Sequence, residues 1–120
     1  MPSFQTQLNA TLLNDKTWVL IDPLVYQSDI LGLITVPAEF ETDLASVPEL
    51  PFVYLLAGGK ASKPAVIHDY LYRTKTGTRK QADAVFYEAM EVDGQPWWRR
   101  RLMWAGVRLF GWTAYPKEST

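Results

Sequence analysis

The rhythm of apolar and polar positions changes partway along this chain. The first 40 residues read as β. Phe4, Thr6 and Leu8 alternate with polar neighbours, Trp18-Val19-Leu20-Ile21-Asp22 is a compact β-prone run, and Leu24-Val25-Tyr26 and Leu33-Ile34-Thr35-Val36 supply two more. Such alternation puts one face of a strand into a core and the other into water. Asn14-Asp15-Lys16 reads as a hairpin turn, and Asp22-Pro23, Ser28-Asp29 and Gly32 punctuate the later runs. Three or four short antiparallel strands are expected.

The second half has the helical period. Pro51 to Ala57 reads as a short apolar helix closed by Gly58-Gly59. Ser62 is placed to cap a helix that has Pro64 in its first turn and runs to about Arg73. Thr78 and Gln81 form a Thr-x-x-Gln capping box for the next helix, whose apolar stripe is Ala82, Val85, Phe86, Ala89 and Met90. After the Gly94-Gln95-Pro96 break, a third helix is expected from Trp97 to Phe110. The Thr74-Lys75-Thr76-Gly77 link is short, so the two helices it joins are expected to be antiparallel neighbours. The predicted class is α+β in a single domain over residues 1–120. A small antiparallel sheet comes first, then three helices, with the middle two helices forming an antiparallel pair.

The third helix is unusual. Trp97, Trp98, Leu102, Met103, Trp104, Val107, Leu109 and Phe110 leave almost no polar face, interrupted by Arg99, Arg100, Arg101 and Arg108. A helix apolar on nearly every side is either buried, with its arginines reaching out to water, or docked on a partner or a lipid interface.

Composition removes several chemistries. With no cysteine there is no disulfide, no thiolate nucleophile and no cysteine-held metal. A net charge of −1 gives no general attraction to nucleic acid, and none is expected as a partner. The charge is unevenly spread: residues 1–50 hold seven acids and one lysine, whereas residues 51–120 hold eleven basic and six acidic side chains. That separation suits either attraction between the halves of one fold or a bipolar surface for a partner. No run of about 18 apolar residues exists, so no transmembrane segment is expected. The start, Met1-Pro2-Ser3-Phe4-Gln5, lacks the basic and apolar regions of a signal peptide.

Candidate chemistry gathers around the single histidine. His68 is followed by Asp69, Asp83 lies on the edge of the next helix's apolar stripe, and Asp43 lies upstream in Phe40-Glu41-Thr42-Asp43-Leu44-Ala45-Ser46-Val47-Pro48. One imidazole and three carboxylates are a minimal set for general-base or metal-assisted hydrolysis. Packing of neighbouring helices would bring Asp83 to His68, where a carboxylate fixes the ring's tautomer. Asp69, with Asp43 or loop carbonyls, would suit a hard cation such as calcium; one histidine with carboxylates is a poor zinc set. Plainer roles compete. Asp69 and Arg73 are four apart and would pair on the helix surface, Asp43 would cap its own turn, and a lone helical histidine is often a core residue. Ser46 offers a Ser–His–Asp alternative without a Gly-x-Ser-x-Gly elbow.

Phe40-x-Thr42-Asp43-Leu44-Ala45-Ser46-Val47-Pro48, His68-Asp69-x-Leu71-Tyr72 and Arg79-x-x-Ala82-Asp83-x-x-Phe86 together resemble a family of small phage and prophage proteins, domain of unknown function 1353. Its members usually carry glycine before the phenylalanine and a basic residue after the proline, where this chain has Glu39 and Glu49. The resemblance implies a bacteriophage or prophage origin, in the host bacterial cytoplasm or the virion, and supplies no activity. His68-Asp69-x-x-Tyr72 followed by Asp83-x-x-Phe86 is also similar to phospholipase A2. That likeness implies His68 as the water-activating base, Asp69 as a calcium ligand and Asp83 as the group orienting His68. The flanking cysteines and glycine-rich calcium loop of that family are absent, Gly58-Gly59 being the nearest glycines. The expected function is a phage-encoded, calcium-assisted ester or lipid hydrolase with a His68–Asp83 dyad. The alternative is a non-enzymatic phage protein, a virion or tail component or a host-protein-binding effector, making contact through the Trp/Arg-rich third helix.

Overall fold

In the computed structural model, which describes residues 1–13, 18–42 and 62–110, the alternating segments become six short strands divided between two sheets. The strands are β1 (Ser3–Phe4), β2 (Ala10–Leu12), β3 (Trp18–Leu20), β4 (Leu24–Ser28), β5 (Gly32–Val36) and β6 (Glu41–Thr42). One sheet has the order β1-β4-β5 and the other β2-β3-β6, and every pairing is antiparallel. The class expected from the sequence is therefore present, with its strands split over two sheets rather than gathered in one. Ile21 and Asp22, expected at the end of a strand run, lie beyond β3, so the chain can turn before β4. The expected Asn14-Asp15-Lys16 turn lies outside the described residues, as do the expected helix at 51–57, Gly58-Gly59, Asp43 and Ser46.

The β4–β5 hairpin forms where the sequence has its β-prone runs, with Ser28 buried and Leu33 exposed against their polarity. Leu24, Tyr26 and Ser28 face inward on β4, and Ile34 and Val36 face inward on β5, while Leu33 and Thr35 face out. Leu24 pairs with Val36 and Ser28 with Gly32. The Ser28 hydroxyl accepts from the Ile30 and Leu31 amides, and Gly32 takes a φ of +81°, which its missing Cβ permits.

Three helices follow: α1 (Ser62–Thr74), α2 (Arg79–Val92) and α3 (Trp97–Phe110). The capping box at the start of α2 is formed in both directions: the Gln81 amide donates to the Thr78 hydroxyl at 3.0 Å and the Thr78 amide to Gln81 Oε1 at 2.9 Å. All five stripe residues of α2 are fully buried. The helices α1 and α2 pack against each other and against the β1-β4-β5 sheet, enclosing Leu24, Tyr26, Ile34, Val36, Val66, Ile67, Leu71 and Val85. A smaller seam of Phe86, Met90, Met103 and Val107 joins α2 to α3. Burial of each such side chain contributes about 1.5–3 kcal/mol. Glu88 ties α2 to the hairpin, accepting from the buried Tyr26 hydroxyl at 2.7 Å and from the Asp29 amide at 3.1 Å.

The third helix is neither wholly core nor wholly interface. Met103 and Val107 are buried, whereas Trp97, Trp98, Trp104 and Leu109 are exposed.

The entry into β6 holds a conformational cost. The Phe40 amide donates to the Pro37 carbonyl, closing a turn whose third residue, Glu39, has a φ of +72°. This is the left-handed region that disfavours a Cβ and suits glycine. The glycine that the family resemblance implies at this place would have a backbone reason. Replacing Glu39 with glycine should relieve about 1–2 kcal/mol of left-handed strain and return about 0.4–1 kcal/mol to the unfolded chain's entropy. The net expectation is a variant more stable by about 0.5–1 kcal/mol in urea unfolding; a lower midpoint would refute the strain.

Candidate functional site: a buried carboxylate between three helices

His68 and Tyr72 lie one turn apart on α1, so both side chains meet α2 on the same face. There they find Asp83, expected at the edge of the α2 stripe but in fact 0% exposed. His68 Nε2 is 2.8 Å from Asp83 Oδ1, and the Tyr72 hydroxyl donates to the same oxygen at 2.6 Å. Arg108 of α3 donates from Nη1 to Asp83 Oδ2 at 2.8 Å. The imidazole is flanked by Tyr72 and Phe86, with ring centroids at 4.1 and 4.7 Å. Its side chain keeps 13% exposure.

Burial alone would raise the Asp83 carboxyl, but the hydrogen bonds from His68 and Tyr72, the His68 charge and Arg108 together hold it below the usual carboxylate range. Burial also raises the Tyr72 hydroxyl, and so does the carboxylate that its proton serves. Asp83 is therefore a carboxylate near neutral pH and can only accept. The hydrogen in its contact with the ring belongs to Nε2, which makes Nδ1 the lone-pair nitrogen of the neutral imidazole.

Asp69 faces a different element. Its Oδ2 accepts from the Thr42 hydroxyl at 2.8 Å, and its Oδ1 pairs with Arg73 Nε at 3.1 Å. The expected surface pair with Arg73 is thus present. Arg73 also donates to the Glu41 carbonyl at 2.7 Å and lies over the Phe40 ring, while Tyr70 meets that ring edge-on. Burial raises the Asp69 carboxyl, against the lowering effects of Thr42 and Arg73. The result is a latch between β6 and α1. Among the described residues no three acidic or histidine side chains converge on a cation position. Asp43 and Ser46 lie outside those residues, so neither enters the geometry.

Two partners of the site were not legible in the chain. The sequence places Arg108 among the arginines expected to reach solvent, yet it pairs with Asp83 twenty-five positions away. Arg79 donates from Nη2 to the carbonyls of Val107 and Arg108, at 3.0 and 2.6 Å, and so caps the end of α3. The available signal was Arg79 in the third motif, which points to importance but not to a partner.

Asp83 is the group whose titration should be felt. Its pKa is lower in the folded than in the unfolded state, so its contribution is full above the ordinary aspartate range and is lost as pH falls through the folded value. Asp83→Asn should cost about 3–5 kcal/mol at pH 7, because Arg108 is left without its anion. The wild type's advantage over the variant should then shrink below about pH 4. Paired urea titrations from pH 7 to pH 3 measure this; a constant difference between the two proteins would contradict it.

Residues 18–107 match the family described as "Protein of unknown function (DUF1353)". The uncharacterized protein y4jT of Sinorhizobium fredii (strain NBRC 101917 / NGR234) is 34% identical over 87 residues, covering 68% of this chain and 26% of the relative. This chain thus spans about a quarter of that relative's length. No solved structure matches. Phe40, Thr42, His68, Asp69, Tyr72, Arg79, Asp83 and Phe86, which carry the three motifs, all lie within the matched residues and all join the contacts described above. The chain belongs to the DUF1353 family.

Proposed function

We propose that the protein is a phage- or prophage-encoded ester hydrolase, acting on lipid-type esters, with His68 as general base and Asp83 as the group that orients it. The observation that carries this reading is the 2.8 Å contact between His68 Nε2 and Asp83. It assigns the hydrogen to Nε2 and leaves the Nδ1 lone pair, which has no hydrogen-bond partner among the described residues. In the proposed step Nδ1 takes a proton from water as the water oxygen attacks the ester carbonyl carbon. The imidazolium then gives that proton to the departing alkoxide, and acid and alcohol are released. Asp83 offsets the positive ring in between. Tyr72 and Arg108 hold one carboxylate oxygen each, so Asp83 is kept from rotating away.

Calcium would enter this reading through Asp69 and Asp43. In the described structure Asp69 spends its oxygens on Thr42 and Arg73, and a cation there would have to displace the Arg73 guanidinium. The described residues do not form a calcium cage, and no step above passes through a metal.

A second reading is favoured by the burial of Asp83. A carboxylate without solvent contact, tied to α1 and α3 at once, serves equally as a fastener in a non-enzymatic virion or tail component, or in an effector that binds a host protein. The two readings part on one substitution. His68→Gln should leave the protein folded and lower turnover of a phospholipid or short-chain ester by about 10²–10⁴-fold. If the wild type shows no turnover, with or without added calcium, and His68→Gln merely costs about 1–3 kcal/mol, the hydrolase is wrong and the fastener stands.

A further inference from the structure

A groove runs between α2 and α3, separate from the Phe86–Met103 seam. Its volume is about 570 Å³, and Ala84, Tyr87, Arg101, Trp104 and Ala105 line it. The two alanines give room, the two aromatic rings are flat walls, and Arg101 brings charge. Helical spacing explains the set: Ala84 and Tyr87 are three apart on α2, while Arg101, Trp104 and Ala105 fall at i, i+3 and i+4 on α3.

The groove's charged lining residue is Arg101, with Arg100 beside it on α3 and Glu91 one turn beyond Tyr87 on α2. Arg100 lies over the Tyr87 ring, with 5.5 Å from guanidinium to centroid, and Arg101 lies over Trp97 at 5.6 Å. Arg100 and Arg101 hold the Tyr87 hydroxyl below the usual phenol range. Among the described residues neither Arg100 nor Arg101 is ion-paired with a carboxylate. Trp97 and Trp104, 63% and 40% exposed, extend the aromatic surface. Exposed tryptophan and arginine with a half-buried tyrosine around a pocket match the composition of an interface centre.

We propose that this groove docks an acidic segment of a partner protein. An apolar side chain of that segment seats between Tyr87 and Trp104, over Ala84 and Ala105, and its carboxylates lie against Arg100 and Arg101. Two observations choose this occupant. Guanidiniums with no carboxylate partner among the described residues, although Arg100 also donates to the Gln95 carbonyl at 2.7 Å, suit an anionic partner. The concave shape takes an inserted side chain, which a flat lipid surface does not offer. The rhizobial relative, in which the matched segment is 26% of the chain, shows a related segment joined to further protein. The proposal goes beyond the hydrolase reading and does not use His68.

The test uses the full chain and a short fluorescein-labelled peptide of glutamates around a central Leu-Phe pair, with a lysine-for-glutamate copy as control. Fluorescence anisotropy should give a micromolar Kd for the acidic peptide, weakened by salt, and no binding of the basic copy. Arg101→Glu and Ala105→Leu, the first reversing the rim charge and the second filling the groove, should each weaken binding about tenfold or more. Both should leave the melting temperature and the urea midpoint unchanged. Absence of binding at millimolar peptide, equal binding of the basic copy, or full affinity in both variants would overturn the proposal. So would binding to phosphatidylglycerol vesicles that the acidic peptide does not displace, or self-association in sedimentation velocity that Arg101→Glu abolishes. The first result would assign the surface to lipid, the second to another copy of this chain.

Discussion

The carboxylate of Asp83 lies where three helices meet, out of contact with water. A bare charge in such a place is costly, and the protein answers with three donors from two other helices: His68 and Tyr72 from α1, Arg108 from α3. Each donor is useful only if its helix is in place. The charge therefore converts an approximate hydrophobic packing of α1, α2 and α3 into one arrangement. Arg79 extends the same logic by closing the last carbonyls of α3 from the first residue of α2.

Around this centre the rest of the fold is attached by smaller polar clasps on an apolar base. Glu88 links α2 to the β4–β5 hairpin through Tyr26 and the Asp29 amide. Asp69 and Arg73 link α1 to β6 through Thr42, the Glu41 carbonyl and the Phe40 ring. Adjacent residues of one helix thus serve opposite sides. His68 turns to α2 and Asp69 to β6, because neighbours on a helix point about 100° apart. Thr42, His68, Asp69, Tyr72, Arg79 and Asp83, all from the three motifs, take part in these clasps. A histidine held by a fixed carboxylate is a packing device and, under the proposed hydrolase, would also be a general base with a defined tautomer. Geometry supplies both roles with the same atoms, and only turnover separates them.

The third helix shows how one element serves two environments. Met103 and Val107 complete the seam with Phe86 and Met90, and Arg108 reaches inward to Asp83. Trp97, Trp98 and Trp104 stay exposed, beside arginines with no described carboxylate partner. Four arginines of one helix therefore have unlike fates. Arg108 gives its charge to Asp83, Arg99 and Arg100 donate to Gln95, and Arg101 lies over Trp97 at the groove.

The sequence by itself determined the class of the fold and most of its elements. β-prone runs gave β4 and β5, the Thr78–Gln81 box gave the start of α2, and the stripe gave its buried face. These were legible because they rest on interactions within a few residues, or on a periodicity that one amphipathic element imposes. The approach of His68 to Asp83 was legible too, since a short link between two helices leaves few ways to pack them. Tertiary structure alone decided the split of the strands over two sheets, the two-residue strand β6, the full burial of Asp83 and its pairing with Arg108. It alone decided that Asp69 serves Thr42 as well as Arg73, and which apolar residues of α3 meet the core. Those outcomes depend on contacts tens of residues apart. A helix as apolar as α3 has no face that its own pattern marks as inner; the position of α2 selects it.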